Sequence, residues 1–117
     1  MNNRELGSIK EKIAADFLKR NGLVILEMNY RIRGGEIDIV ALDKNVYVFA
    51  EVKYRKTASK GIPEEAVNYR KMKTISRVSN HYRMTHRLSD DTPVRYDVIA
   101  IEGSDIRWLR NAFCYCP

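Results

Sequence analysis

Residues 35–53, Gly35-Glu36-Ile37-Asp38-Ile39-Val40-Ala41-Leu42-Asp43-Lys44-Asn45-Val46-Tyr47-Val48-Phe49-Ala50-Glu51-Val52-Lys53, decide how the chain is read. Glu36 to Leu42 and Val46 to Lys53 are rich in strand formers, and Asp43-Lys44-Asn45 between them carries turn chemistry, so the stretch reads as a β-hairpin. Both strands are nearly apolar on both faces, as in the middle of a sheet covered by helices on each side. Strand side chains alternate in direction, which puts Glu51 and Lys53 on one face and Ala50 and Val52 on the other. With the turn centred near Lys44, Asp38 falls opposite Ala50 or Glu51, a choice of register that sequence leaves open. A register that pairs it with Glu51 brings two carboxylates within reach of one cation, with Lys53 two residues further on.

Outward from the hairpin, Asn3 to Asn21 reads as a helix. Leu6, Ile9, Ile13 and Phe17 recur at spacings of three and four, Ala14 and Leu18 widen the stripe, and Gly22 suits the helix stop. Leu23 to Tyr30 reads as a strand and Arg33-Gly34-Gly35 as a turn. Downstream, Lys56 to Ile62 reads as a polar loop. Pro63 fits the first turn of a second helix with Glu64 and Glu65 at its positive end, running to about Thr85. Arg87 to Thr92 is a loop, Val94 to Ile101 a strand, Glu102-Gly103-Ser104-Asp105 a turn, and Ile106 to Leu109 a strand paired back. The order α-β-β-β-α-β-β predicts an α/β fold, a mixed sheet flanked by helices.

The 117 residues, 44% hydrophobic and 31% charged, fit one globular domain spanning 1–117 and exclude a wholly disordered chain. No run of eighteen apolar residues exists, so no membrane span is expected, and MNNRELGSIKEK has no apolar core of a signal peptide. A cytoplasmic location follows as the expectation. Cys114 and Cys116, with one residue between them, read as free thiols.

The net charge of +6 is concentrated rather than spread. From Glu51 to Arg87 there are ten Lys/Arg against three acids, while the rest of the chain has eleven against twelve. A localised basic field is the footprint of a polyanion binder, and nucleic acid is the default polyanion of the cytoplasm. The same run also reads as a solvated basic helix. Tyr69 and Tyr82 have helical spacing with Ile75 and Val78, which assigns both to the core in preference to base stacking. Asp97, beside Arg95, is assigned a structural salt bridge.

Asp38, Glu51 and Lys53 carry the chemistry. A carboxylate inside an apolar central strand is costly unless it is paired or binds a cation. Two hard oxygen donors suit Mg²⁺ (or Mn²⁺), and a cation-activated water attacks phosphorus. Lys53 beside it orients that water or stabilises the developing phosphorane charge. The alternative is a Glu51–Lys53 or Asp38–Lys53 ion pair that holds the sheet together.

Asp38-x(12)-Glu51-x-Lys53 across a hairpin resembles the PD-(D/E)xK signature of restriction-endonuclease-like nucleases. Nearly end to end, the chain resembles the YraN family of small bacterial proteins, itself distantly similar to archaeal Holliday junction resolvases. The stretches that carry the likeness include Gly7 with Glu11, Asn29-Tyr30-Arg31, Gly35 to Asp38, Val48 to Lys53 with Arg55, Glu65-Ala66-Val67 with Lys71, Arg95 to Val98, and Trp108 to Phe113. The resemblance implies a restriction-endonuclease-like fold. It also implies a metal site of Asp38, Glu51 and the Val52 carbonyl, with Lys53 as catalytic lysine and Glu11 as the glutamate of the first helix. On helical geometry alone Glu11 is either a water-mediated ligand or a surface residue, and Glu36 either assists Asp38 or flanks the turn. Junction resolvases often carry a glutamine on the helix after the ExK strand. This chain has no Gln, and Asn68 or Lys71 stands nearest to that role. Arg55, Lys71, Lys73 and Arg77 are the expected nucleic-acid contacts. The function implied is a metal-dependent nuclease acting on DNA, branched DNA included, with a homodimer as the expected assembly. Its alternatives are a non-catalytic nucleic-acid-binding module and an adaptor whose basic face meets an acidic protein.

Overall fold

The computed structural model describes residues 2–55 and 67–117. Helix α1 (Asn3–Arg20) opens on Asn2, whose side chain accepts the Glu5 N–H. It closes on Gly22 at φ +92°, with Leu23 N–H donating to the Leu18 carbonyl and Gly22 N–H to that of Lys19. That pair of bonds is a Schellman stop, and the left-handed residue in it is the expected glycine. Strands β1 (Val24–Ile32), β2 (Gly35–Asp43) and β3 (Val46–Arg55) follow as an antiparallel meander. Helix α2 (Tyr69–Thr85) crosses to β4 (Val94–Glu102), parallel to β3, and β5 (Asp105–Phe113) pairs back antiparallel. The sheet order is β1-β2-β3-β4-β5, so the α/β fold and the order α-β-β-β-α-β-β are as the sequence predicts. None of the described helices is long and apolar enough to cross a membrane.

Apolar layers cover both faces of the sheet. On one, Ala14, Ala15 and Leu18 of α1 pack on Ile39, Ala41, Val48, Ala50, Ile99 and Ile101. On the other, Ile75, Val78 and Tyr82 of α2 pack on Ile37, Val40, Phe49 and Tyr96. Residues two apart on a regular strand share a face. Ile37 and Ile39 do not, so the alternation of β2 breaks at Asp38. The register of β1 places Asn29 opposite that break, and Asn29 is left-handed at φ +52°. Irregular positions of this kind re-aim a side chain.

Several sequence expectations are corrected. Helix α2 begins at Tyr69, and Val67 and Asn68, read as helical from sequence, precede it, because the Asn68 side chain accepts the Lys71 N–H and caps it there. The readings at Lys56 to Ile62, Pro63, Glu64 and Glu65 lie outside the described residues. Tyr82 is buried as expected, but Tyr69, the first residue of α2, is 62% exposed. Strand β5 continues past Leu109 to Phe113, with Asn111 left-handed at φ +53° and its N–H donating to Asp97.

Asp97 is fully buried and satisfied: Arg95 Nε reaches both its oxygens (3.1 and 3.2 Å), and Trp108 Nε1 and Asn111 N–H donate to it. Arg95 also bridges to Asp43 at 2.8 Å. This knot ties β2, β4 and β5 together, the structural role expected of Asp97. Both cysteines are free.

Helix α2 lies close over the β1–β2 turn. A Cβ on Gly35 would sit 2.6 Å from Val78 Cγ2 and 3.0 Å from Thr74 Cγ2. Gly35→Ala is therefore expected to lower stability by about 1–3 kcal/mol through overpacking, read as a lower urea midpoint at unchanged m-value. Asp97→Asn removes the buried half of the Asp97–Arg95 ion pair and should cost about 3–5 kcal/mol in the same titration. A loss under about 0.5 kcal/mol, the range of ordinary surface substitutions, would refute either account.

Candidate functional site

The break at Asp38 also ends a hydrogen-bond ladder. The β2–β3 register runs from Asp43↔Val46 to Ile39↔Ala50 and stops there. Extended by one step, it sets Asp38 opposite Glu51, the pairing of the two that the sequence left open. Instead of continuing the ladder, Asp38 Oδ2 accepts the Val52 N–H at 2.8 Å. The backbone donor stays satisfied while the carboxyl group moves off the regular pleat.

Three carboxylates converge at this point. Glu11 comes from α1, Glu36 and Asp38 from β2, and each offers an oxygen within 4.8 Å of the others. Asn29 links two of them, its Nδ2 donating to Glu11 Oε1 (2.8 Å) and Glu36 Oε1 (3.0 Å). Arg31 Nη2 adds an ion pair to Glu36 at 3.2 Å. Burial, then the charge of Glu51, push the Asp38 carboxyl up from its ordinary 3.8 to about 8. The Val52 N–H works against that rise, and Glu11 and Glu36 add to it. Such crowding has two remedies, a proton or a cation.

Glu51 is buried on β3, and its Oε1 lies 3.7 Å from Lys53 Nζ and 3.4 Å from Lys71 Nζ at the start of α2. The Glu51–Lys53 pair considered from sequence is therefore present, with Lys71 added. Glu36 lines two clefts. One, of about 330 Å³, is bounded by Arg4, Glu11, Asn29 and Arg31. The other, of about 390 Å³, is bounded by Lys53, Asn68, Arg70 and Lys71.

The expected residues are thus distributed unevenly. Asp38 and Glu11 meet in the three-carboxylate group. Glu51 and Lys53 stand beside it, with Glu51 outside the 4.8 Å trio, and Val52 contributes its N–H to Asp38. Lys71 turns to Glu51, whereas Asn68 is used as the helix cap. Lys73 lies over the Tyr69 ring at 5.5 Å, and Arg77 donates to the carbonyls of Gly34 (2.9 Å) and Arg33 (3.4 Å). Arg55 ends β3 in register with Glu102. Sequence reasoning left Glu36 undecided, and it assigned no role at the site to Asn29, Arg31 or Arg70. The one local signal for Asn29 is its residue type, since Asn inside a run of strand formers is the side chain most tolerant of positive φ.

The model of the uncharacterised protein family UPF0102 matches residues 10–101. A UPF0102 protein of Lachnoclostridium phytofermentans is 44% identical over 113 residues, covering 97% of this chain and 96% of the relative. One of Alkaliphilus oremlandii is 44% identical over 116 residues, covering 95% and 99%. One of Legionella pneumophila is 38% identical over 112 residues, covering 94% and 95%. The chain belongs to family UPF0102.

The unfolded chain releases the Asp38 proton near 3.8, the folded protein only near 8. Between those values the folded state binds more protons than the unfolded one. Stability from this group is then fully present below about pH 4 and is lost as pH rises towards about 8. Thermal melts in EDTA should show Tm falling across that interval, with a slope from this one proton of at most roughly 1.4 kcal/mol per pH unit. Asp38→Asn keeps the shape, removes the titration and should flatten the slope. Parallel curves for the two proteins would contradict the assignment.

Proposed function

We propose that this member of family UPF0102 is a divalent-cation-dependent phosphodiesterase that cleaves nucleic acid, with DNA, including branched DNA, as the substrate class. The observation that carries the reading is the convergence of Glu11, Glu36 and Asp38 from two separate elements beside the Glu51–Lys53 strand. Further support is the hairpin spacing of Asp38, Glu51 and Lys53, which resembles that of restriction-endonuclease-like nucleases.

The donor set fits a hard cation. All its members are carboxylates, and burial together with like charges disfavours the ionised Asp38 unless positive charge is supplied. Asp38 is the common member, with Glu11 and Glu36 on one side and Glu51 and the Val52 carbonyl on the strand side. A bound Mg²⁺ or Mn²⁺ would supply Lewis-acid chemistry, activating water at neutral pH and neutralising phosphate charge. The rest falls to the chain's own groups. Lys53 orients the attacking water and faces the charge that develops on phosphorus. Lys71 holds Glu51 in place from α2. Arg4, Arg31 and Arg70 flank the two clefts as phosphate contacts. One such site cuts one strand, so a homodimer suits a two-fold symmetric DNA. The setting is the cytoplasm.

One observation favours a second reading. Glu51 Oε1 already has two lysine partners, an arrangement that suits a binding module without turnover.

Incubation of branched and linear DNA with Mg²⁺ or Mn²⁺ separates the two. Cleavage is expected, with Asp38→Asn, Glu51→Gln and Lys53→Ala each reducing its rate by about 100-fold or more while DNA binding in EDTA persists. Cleavage that survives all three substitutions is contamination. Binding with no cleavage of any substrate establishes the binding module instead.

A further inference from the structure

Part of the basic surface is not absorbed by the acidic site. Arg70, Lys73 and Arg77, spaced three and four, share one outer face of α2. The tail after β5 packs against that helix: Cys116 N–H donates to Ser76 Oγ (2.9 Å), and Asn80 Nδ2 donates to Tyr115 Oη (2.6 Å). Between tail and helix lies a cleft of about 580 Å³, lined by those three cations together with Tyr69, Asn80 and Tyr115. None of its described lining residues is an acid. Its size is that of ordinary small-ligand sites.

Two features point to the ligand. Tyr69 and Tyr115 are 62% and 46% exposed, so two aromatic rings stand open to solvent at a site rich in positive charge. Exposed rings interleaved with cations are the pattern of single-strand binding, where bases stack and phosphates pair. A duplex keeps its base faces internal and offers these rings nothing. The second feature is continuity. Arg70 and Thr74 line both this cleft and the one that reaches Lys53 and Glu36. A strand leaving the acidic site along α2 runs directly into it.

We propose that the cleft between α2 and the C-terminal tail binds an unpaired nucleic-acid segment, with a base stacked on Tyr69 or Tyr115 and phosphates on Arg70, Lys73 and Arg77. This rests on the nuclease reading and specifies its substrate as nucleic acid with a single-stranded portion leading away from the scissile position. Arg77 is preset for the role, because its bonds to the carbonyls of Gly34 and Arg33 fix the guanidinium at the cleft wall.

Fluorescence anisotropy in EDTA tests the binding without any cleavage. The probes are an oligothymidylate of about twelve residues, an abasic strand of equal length and a blunt duplex. Oligothymidylate should bind about tenfold more tightly than the abasic strand, which keeps the phosphates and lacks the bases. Tyr69→Ala should remove most of that difference, Tyr69→Phe should retain it, and the affinity for the abasic strand should not change. Tyr69 is largely exposed, so neither substitution threatens the fold. Photo-crosslinking of the wild-type protein to a bromouracil strand should label Tyr69 or Tyr115.

Equal affinity for the normal and abasic strands, or labelling confined to other residues, overturns the proposal. So does a polyglutamate peptide competing as well as oligothymidylate, which assigns the cleft to an acidic protein. Failure here with cleavage intact leaves the nuclease reading standing. Base-dependent binding without cleavage of any substrate removes that reading and leaves this one.

Discussion

The site depends on one hydrogen bond, from the Val52 N–H to the Asp38 carboxyl. A backbone donor on an inner strand has to be paired, and the adjacent strand is the usual partner. Here the β2–β3 ladder stops after Ile39↔Ala50, and a side chain takes over the next donor. The substitution has two consequences. Strand β2 is free to switch which helix its apolar residues face, with Ile37 under α2 and Ile39 under α1. The carboxyl group is held near the backbone of β3 and close to Glu51, where burial and neighbouring negative charge disfavour its ionised form. A regular strand would have delivered Asp38 into one of the apolar layers, where an acid has no place.

Positive charge divides into two populations. Lys53 and Lys71 face Glu51 and screen the acidic group from within. Lys73 and Arg77 lie along the outer face of α2, and Arg70 lies between the two groups, lining both the outer cleft and the one that reaches Glu36. The concentration of basic residues between Glu51 and Arg87, uniform in sequence, therefore serves two purposes once α2 is laid on the sheet. The close approach of α2 to Gly35 sets both, because it fixes the height of the helix above the β1–β2 turn and hence how near Lys71 comes to Glu51.

Much of this was legible in the sequence. The hairpin at Asp43-Lys44-Asn45, the helix stop at Gly22 and the two-sided apolar strands are local patterns, and local patterns fix element types. What escaped is non-local. Glu36 could not be assigned because its partners Asn29 and Arg31 lie across a strand pair whose irregularity no periodicity announces. Val67 and Asn68 read as part of α2 because apolar spacing runs through them, whereas Asn68 is a helix cap whose side chain takes the Lys71 N–H. Tyr69 has the spacing of a core residue, but it is the first residue of α2 and 62% exposed, with Lys73 over its ring.

Asp38 and Asp97 differ in how the fold compensates them. Asp38 and Asp97 both belong to inner strands, and each accepts a backbone N–H from an adjacent strand. Around Asp97 the fold supplies full compensation: a guanidinium on both oxygens, an indole N–H and the Asn111 N–H. Nothing further is needed there for the acid to be charged and buried. Around Asp38 the fold supplies the Val52 N–H and then sets Glu11, Glu36 and Glu51 near it. Natural structures compensate buried charge wherever only stability is at stake, as they have done at Asp97. Leaving Asp38 among like charges disfavours its ionised form, and that difference in compensation, not burial alone, is what separates the two acids.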